Sequence, residues 1–228
     1  MLKKIIPTLL AIATASTLVH ADDLMQTGRI DAVNPSTKEK QSVEVFGRVN
    51  VGNEYNVVRY FFTYTCDFGE KYDEEMSIWG STLPKNFHYV RVPVLTQEPN
   101  SLVGAFAYYA AWSVDKSKIN AFQKNAYYLI KNKNFDPSSQ KTFLIAAKAA
   151  GYNAKSYMDA WSTTKTKNLV KNAAILGAKY NIRYTPTLTV GGIYTINPEP
   201  IADSRTSFVD FANAITSKYI SENKAALQ

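Results

Sequence analysis

The chain holds one thiol. Cys66 lies in YFFTYTCDFGEKYDEE, from Tyr60 to Glu75, and is the single cysteine among 228 residues. A thiol reacts through its thiolate, which attacks a disulfide sulfur and forms a mixed disulfide. One cysteine cannot close a disulfide within the chain, so Cys66 must serve another purpose. It is an exchange nucleophile, a small packing residue left without turnover, or a redox sensor that is itself oxidised. Histidine is almost as scarce, with only His20 and His88. A zinc site takes three or four Cys, His or acidic ligands, so no metal is expected, and no motif asks for a cofactor. His88 falls in a strand-like run and reads as structural rather than as a partner for the thiol. Asp67-Phe68-Gly69 spells the metal-binding triplet of kinases, but the chain lacks the glycine-rich loop and the His-Arg-Asp that kinase chemistry also needs.

The N-terminus sets the compartment. Lys3 and Lys4 precede an apolar run from Ile5 to Val19, and Val19-His20-Ala21 supplies a small-residue cleavage site. This predicts a secretory leader over 1–21, cut after Ala21, and an exported mature chain from Asp22. Loss of the leader leaves 24 basic and 19 acidic residues, a net charge of +5 instead of +7. No later run approaches the ~20 apolar residues of a membrane span. The lysines at 116, 118, 124, 131, 133, 165, 167 and 171 read as solvated helix faces, not as a nucleic-acid surface. With 46% apolar residues the chain can build a core, and nothing in its composition suggests disorder.

The elements that must hold Cys66 follow from periodicity. Val57 to Tyr64 (VVRYFFTY) is dominated by β-branched and aromatic side chains and reads as a buried strand. Phe68, Tyr72, Met76 and Trp79 then recur at helical spacing, with Asp67, Glu70, Asp73, Glu74 and Glu75 crowding the first turns. A helix from about 67 to 79 is predicted, stopped by Gly80 and Pro84. Phe87 to Leu95 reads as a second strand, with Pro93 at its end or at a sheet edge. Gln41 to Val51 alternates loosely, as a short edge strand does. From 100 to 179 the signal is helical. Asn100-Ser101 caps a helix through Ala111, Asp115 one through Ile130, and Asp136-Pro137 opens one that Gly151 ends. Asn153 opens a short helix to Trp161, and Thr163 or Thr164 a longer one to Lys179. Tyr108, Tyr109, Trp112, Tyr127, Tyr128, Tyr157 and Trp161 make this block aromatic; most are expected in its core, some beside Cys66. Thr187 to Val190 and Ile193 to Ile196 read as a hairpin around a two-residue Gly191-Gly192 turn. The last helix, about 206 to 221, carries Phe208, Phe211, Ile215 and Tyr219 on one face.

Three segments resemble the exported thiol:disulfide interchange proteins of the DsbA type. FFTYTC (Phe61 to Cys66) is similar to the strand leading into that family's Cys-x-x-Cys site. Trp79 followed by LPKNFHYVRVPV (Leu83 to Val94) is similar to the helix end and next strand. IRYTPTLTVGGIY (Ile182 to Tyr194) matches the loop, cis-proline, strand and glycine turn that face the site. The resemblance implies an α/β thioredoxin fold, a central mixed sheet flanked by helices, with an inserted all-helical subdomain. Its boundaries would be 22–99 and 181–228 for the two parts of the thioredoxin fold and 100–180 for the insertion. It also implies a periplasmic protein acting on exported clients, with a small-molecule thiol or redox partner. By likeness, Thr185 and Pro186 would form the cis-proline ledge that pairs with an extended client, alongside Asp67, Phe68 and Gly69.

The departures fall on the chemistry. Gly69 stands where the family has its second cysteine, Asp67 and Phe68 replace the intervening pair, and Tyr60 replaces a buried acid found in many members. Dithiol oxidation by the family route is excluded by atom count. What remains is exchange or isomerisation through Cys66 alone, or a non-catalytic chaperone or assembly factor that binds unfolded or secretion-apparatus proteins. At a helix start the dipole favours a thiolate by roughly 0.3 to 1 kcal/mol. Asp67 and Glu70 oppose it by a similar amount. The expectation is a less reactive thiol than in the ordinary family member.

Overall fold

The computed structural model describes residues 29–33, 40–44, 46–199 and 207–223, with side chains from 46 onward; the expected leader and its cleavage site lie outside them. VVRYFFTY supplies the strand that organises the sheet, because its apolar side chains project from both faces. In chain order the strands are β1 (Arg29–Val33), β2 (Lys40–Glu44), β3 (Gly47–Arg48), β4 (Val57–Phe62), β5 (His88–Pro93), β6 (Thr187–Val190) and β7 (Tyr194–Ile196). Five of them form one sheet in the order β3-β7-β6-β4-β5, with β4 and β5 parallel and the other neighbours antiparallel. Tyr60 and Phe62 stack 6.4 Å apart on one face of β4, and Phe61 meets Tyr180 at 5.3 Å. All three β4 rings are fully buried.

The helices are α1 (Asp67–Ser81), α2 (Pro99–Val114), α3 (Ile119–Tyr127), α4 (Gln140–Ala149), α5 (Ala154–Trp161), α6 (Thr164–Lys179) and α7 (Phe208–Glu222). A 3₁₀ turn, Lys116–Lys118, precedes α3, and a π-helical turn, Tyr128–Asn132, follows it. The mixed sheet flanked by helices is the expected α/β thioredoxin arrangement, and α2 to α6 pass between β5 and β6 without a strand. Asn153, Thr163 and Ser207 cap α5, α6 and α7 through their side chains.

Several local expectations are corrected. The loose alternation of 41–51 spans two elements. Lys40–Glu44 pairs with Arg29–Val33 in a separate two-stranded sheet, and Gly47–Arg48 joins the edge of the main sheet against β7, with the Val49 and Val51 N–H groups bonding on to the Ile193 and Gly192 carbonyls. Alternation identifies a strand but not its partner. Gly80 does not stop α1. It lies inside the helix, where a Cβ would come within 2.4 Å of the Tyr89 ring, so its role is close packing. Pro99 rather than Asn100 or Ser101 opens α2, with Glu98 as N-cap, and proline suits the first helical turn because no N–H is needed there. Asp136 closes a turn by accepting from the Ser138 N–H at 2.8 Å, and α4 begins only at Gln140. Val190 pairs with Tyr194, so the hairpin connection has three residues, with Gly191 and Gly192 at φ +62 and +70.

A buried polar network ties α1 to β5 and α3. The Arg91 guanidinium donates to the Asp73 carboxylate at 3.1 Å and to Asn120 at 2.7 Å. Gln123 Nε2 donates to Asp73 at 3.3 Å, and Tyr64 Oη donates to Gln123 Oε1. Burial pushes the Asp73 carboxyl above its usual range, against the pull of Arg91. Removing one partner of such a pair strands the other charge. Arg91→Met should therefore lose about 3–5 kcal/mol in urea unfolding at neutral pH. Arg91→Met combined with Asp73→Asn should recover most of that loss. The single variant's deficit should shrink on acidification: its stranded carboxyl has a folded-state pKa above the unfolded one, so the native state takes up the proton first. An equal deficit at pH 7 and pH 4.5 would count against this account of the pair.

Candidate active site

β4 delivers the chain to a tight turn, Thr63 to Thr65, and Cys66 follows as the N-cap of α1. The Cys66 N–H donates to the Thr63 carbonyl at 3.3 Å, while its own carbonyl accepts from Gly69 and Glu70 at 3.1 and 3.4 Å. Its side chain makes no capping bond to the helix. The thiol instead donates to the Thr185 carbonyl oxygen, with Sγ 2.7 Å away. Sheet register explains this meeting. Phe61 pairs with Thr187 across β4 and β6, which sets the chain before β6 beside the chain after β4. The Thr185–Pro186 peptide is cis, as expected, and Pro186 is buried. Thr63 and Thr185 share a hydroxyl–hydroxyl hydrogen bond of 3.2 Å, and Thr187 Oγ1 donates to the Tyr184 carbonyl at 2.8 Å.

The structure brings Cys66, Thr185 and Pro186 together. Asp67 and Phe68 lie exposed at the helix start, Phe68 stacked on Tyr72 at 6.3 Å, and Gly69 is buried. A Cβ on Gly69 would lie 2.9 Å from Tyr127 Oη and 3.2 Å from the Thr63 carbonyl oxygen. Tyr127 Oη donates to that carbonyl at 3.3 Å. The phenol therefore fills the space into which a side chain at 69 would grow. Burial pushes the phenols of Tyr60 and Tyr127 well above their usual value, so both stay neutral beside the thiol.

The lysine expectation fails at one position. Lys131 Nζ donates to Asp67 Oδ1 at 2.5 Å and to the Thr65 carbonyl, and its side chain is only 18% exposed. That hydrogen bond and charge hold the Asp67 carboxyl below its usual range. Asn132 Nδ2 donates to Glu70 at 2.6 Å. The two acids set against a thiolate in the sequence are both engaged by the π-helical turn. A sequence signal existed, because two uncompensated acids beside a cysteine ask for a partner, but nothing local names a lysine 64 residues away. His88 pairs with Val57 at the start of β4, the end of the strand opposite Cys66, so it forms no pair with the thiol. Of the aromatic residues between β5 and β6, Tyr127 reaches the site, Tyr128 is exposed, and Tyr108, Tyr109 and Tyr157 are buried in the core.

A groove of about 440 Å³ opens beside the turn, lined by Thr63, Thr65, Leu95, Arg183, Tyr184 and Thr185 among others. Among the described residues, no cluster of three or more His, Cys, Asp or Glu could hold a metal ion, and no helix is long and apolar enough to cross a membrane.

No family model matches the chain. A curated relative, the thiol:disulfide interchange protein DsbA of Burkholderia cepacia, is 28% identical over 139 residues, which cover 60% of this chain and 64% of the relative's length. Among solved structures, Pseudomonas aeruginosa DsbA superposes with a TM-score of 0.66 at 17% identity, over 81% of this chain and 95% of its own. The oxidoreductase DsbA1 of Neisseria meningitidis gives 0.66 at 15%, over 85% and 100%. A Proteus mirabilis DsbA variant, solved with a non-covalently bound peptide, gives 0.64 at 16%, over 81% and 96%. The chain is thus DsbA-like in sequence and fold, a thioredoxin fold whose site carries the single cysteine of Cys66-Asp67-Phe68-Gly69.

Proposed function

We propose that this protein is an exported, periplasmic thiol:disulfide interchange protein that works on client proteins through Cys66 alone. The observation that carries the reading is the placement of the Cys66 sulfur at the N-cap of α1, 2.7 Å from the Thr185 carbonyl and beside the cis-proline loop. A helix start favours the thiolate, and an extended client strand can pair with the Thr185 backbone while its disulfide meets the sulfur. The Cys66 thiolate attacks one sulfur of the client disulfide. That S–S bond breaks, a Cys66–client disulfide forms, and the other client sulfur leaves as a thiolate that takes up a proton. A second thiolate, from the client or from a small-molecule thiol, then attacks the mixed disulfide and returns Cys66 as a thiolate. Resolution by the client itself is isomerisation without net redox change. Resolution by two small-molecule thiols reduces the client and oxidises them.

The second reading, a non-catalytic chaperone or assembly factor, draws on the same contact. The thiol's bond to Thr185 satisfies it without turnover, and exposed Phe68 and Tyr184 flank it as apolar binding residues. Cys66→Ser separates the two. Exchange requires that the variant lose both its function and the client-linked species seen on a non-reducing gel; full function in Cys66→Ser would leave only the binding role.

The packing at Gly69 yields a further expectation. Gly69→Cys alone should destabilise the protein and close a disulfide with Cys66 poorly, because the new Cβ meets Tyr127 Oη. Gly69→Cys with Tyr127→Leu should close it readily, as read by loss of alkylatable thiol after mild oxidation. Equal closure in the two variants would contradict the steric account.

A further inference from the structure

We propose that Lys131 is a positioning residue for Cys66: by neutralising Asp67 and holding the Thr65 carbonyl, it lets the N-terminal end of α1 favour the thiolate without the opposing charge of the adjacent carboxylate. This rests on the single-thiol reading above. Lys131 belongs to the π-helical turn Tyr128–Asn132, closed by the Lys133 N–H to the Tyr128 carbonyl at 3.2 Å. A π turn shifts the angular register of the residues it carries, and such turns cluster at functional sites. Here it turns Lys131 and Asn132 together onto the first turn of α1. Lys131 is more covered than the other lysines between β5 and β6 that form ion pairs. Lys118, Lys124 and Lys155 leave 42%, 71% and 85% of their side chains exposed, whereas Lys131 leaves 18%. Confining a long side chain costs rotamer entropy, and its two partners are the carbonyl of the peptide leading into Cys66 and the carboxylate that follows it.

The groups facing Cys66 can be counted by element. From α1 come the carboxylates Asp67 and Glu70, and from the π turn the ammonium of Lys131. From β4 and α3 come the neutral phenols of Tyr60 and Tyr127. The cis-proline loop offers the Thr185 carbonyl at the sulfur, and its Arg183 turns to Asn181 at 3.4 Å. Without Lys131 the first turn of α1 would present only negative charge to the sulfur, against the helix dipole. With it, Asp67 is compensated, and that carboxylate no longer opposes the helix dipole at the sulfur.

The test is the pH dependence of Cys66 alkylation by iodoacetamide in the full chain, which needs no client and so stands or falls apart from the exchange reading. Lys131→Met should slow alkylation at pH 7 by about 3- to 10-fold, with the profile moved to higher pH, the size expected for an uncompensated neighbouring charge. Lys131→Arg should retain the wild-type profile, and Lys131→Met with Asp67→Asn should restore it. Asp67→Asn alone leaves Lys131 unopposed and should speed alkylation, which keeps the test alive if Lys131→Met does not fold. An unmoved profile in Lys131→Met, a double variant no faster than the single, or an Asp67→Asn variant no faster than wild type would overturn the proposal. A merely structural lysine would lower thermal stability while leaving the pH profile in place.

Discussion

The contact between Gly69 and Tyr127 is the constraint on which the site depends. The Tyr127 phenol reaches the Thr63 carbonyl past Gly69, where a Cβ would press it at 2.9 Å. Once there, it fastens the end of α3 to the turn between β4 and α1, and the π-helical turn that follows is carried over the first residues of α1. Neighbouring rings reinforce the docking, since Tyr64 packs against both Tyr127 and Phe143 at 5.2 and 5.0 Å. Glycine at 69 is thus part of this interface, in which Tyr127 lies within 2.9 Å of where a Cβ would stand.

Two ion pairs sit on α1 and do different work. Asp73–Arg91 is buried, so its energetics are set by desolvation and by how completely Gln123 and Asn120 satisfy it; it fixes α1 against β5 and α3. Asp67–Lys131 joins a 93% exposed carboxylate to a mostly covered lysine, so it adds little to stability. Its effect is local and electrostatic, acting on whatever charge develops at Cys66. The first pair positions the helix and the second conditions its end.

Much of this was legible in the chain. VVRYFFTY announced a buried strand and the spacing of Phe68, Tyr72, Met76 and Trp79 announced α1, both local signals carried by periodicity. The cis-proline at Thr185-Pro186 was legible only through the family resemblance, since most X-Pro bonds are trans. What escaped was relational. Gly80 read as a helix stop because only the packed structure sets the Tyr89 ring against it. Asp136-Pro137 had the form of a helix start, yet its carboxylate closes a turn first. Lys131 and Tyr127 looked like a surface lysine and a core aromatic, and their reach to Cys66 depends on how α3 docks and on the extra residue of the π turn.

Exchange by one sulfur, without a resolving partner in the chain, can be read by intact-mass analysis after mixing the reduced protein with a disulfide-linked peptide dimer. One peptide half should join each chain at Cys66, and the free thiol should return completely on adding a small-molecule thiol. A chain that gains no peptide, while Cys66 remains free to alkylate once unfolded, would contradict it.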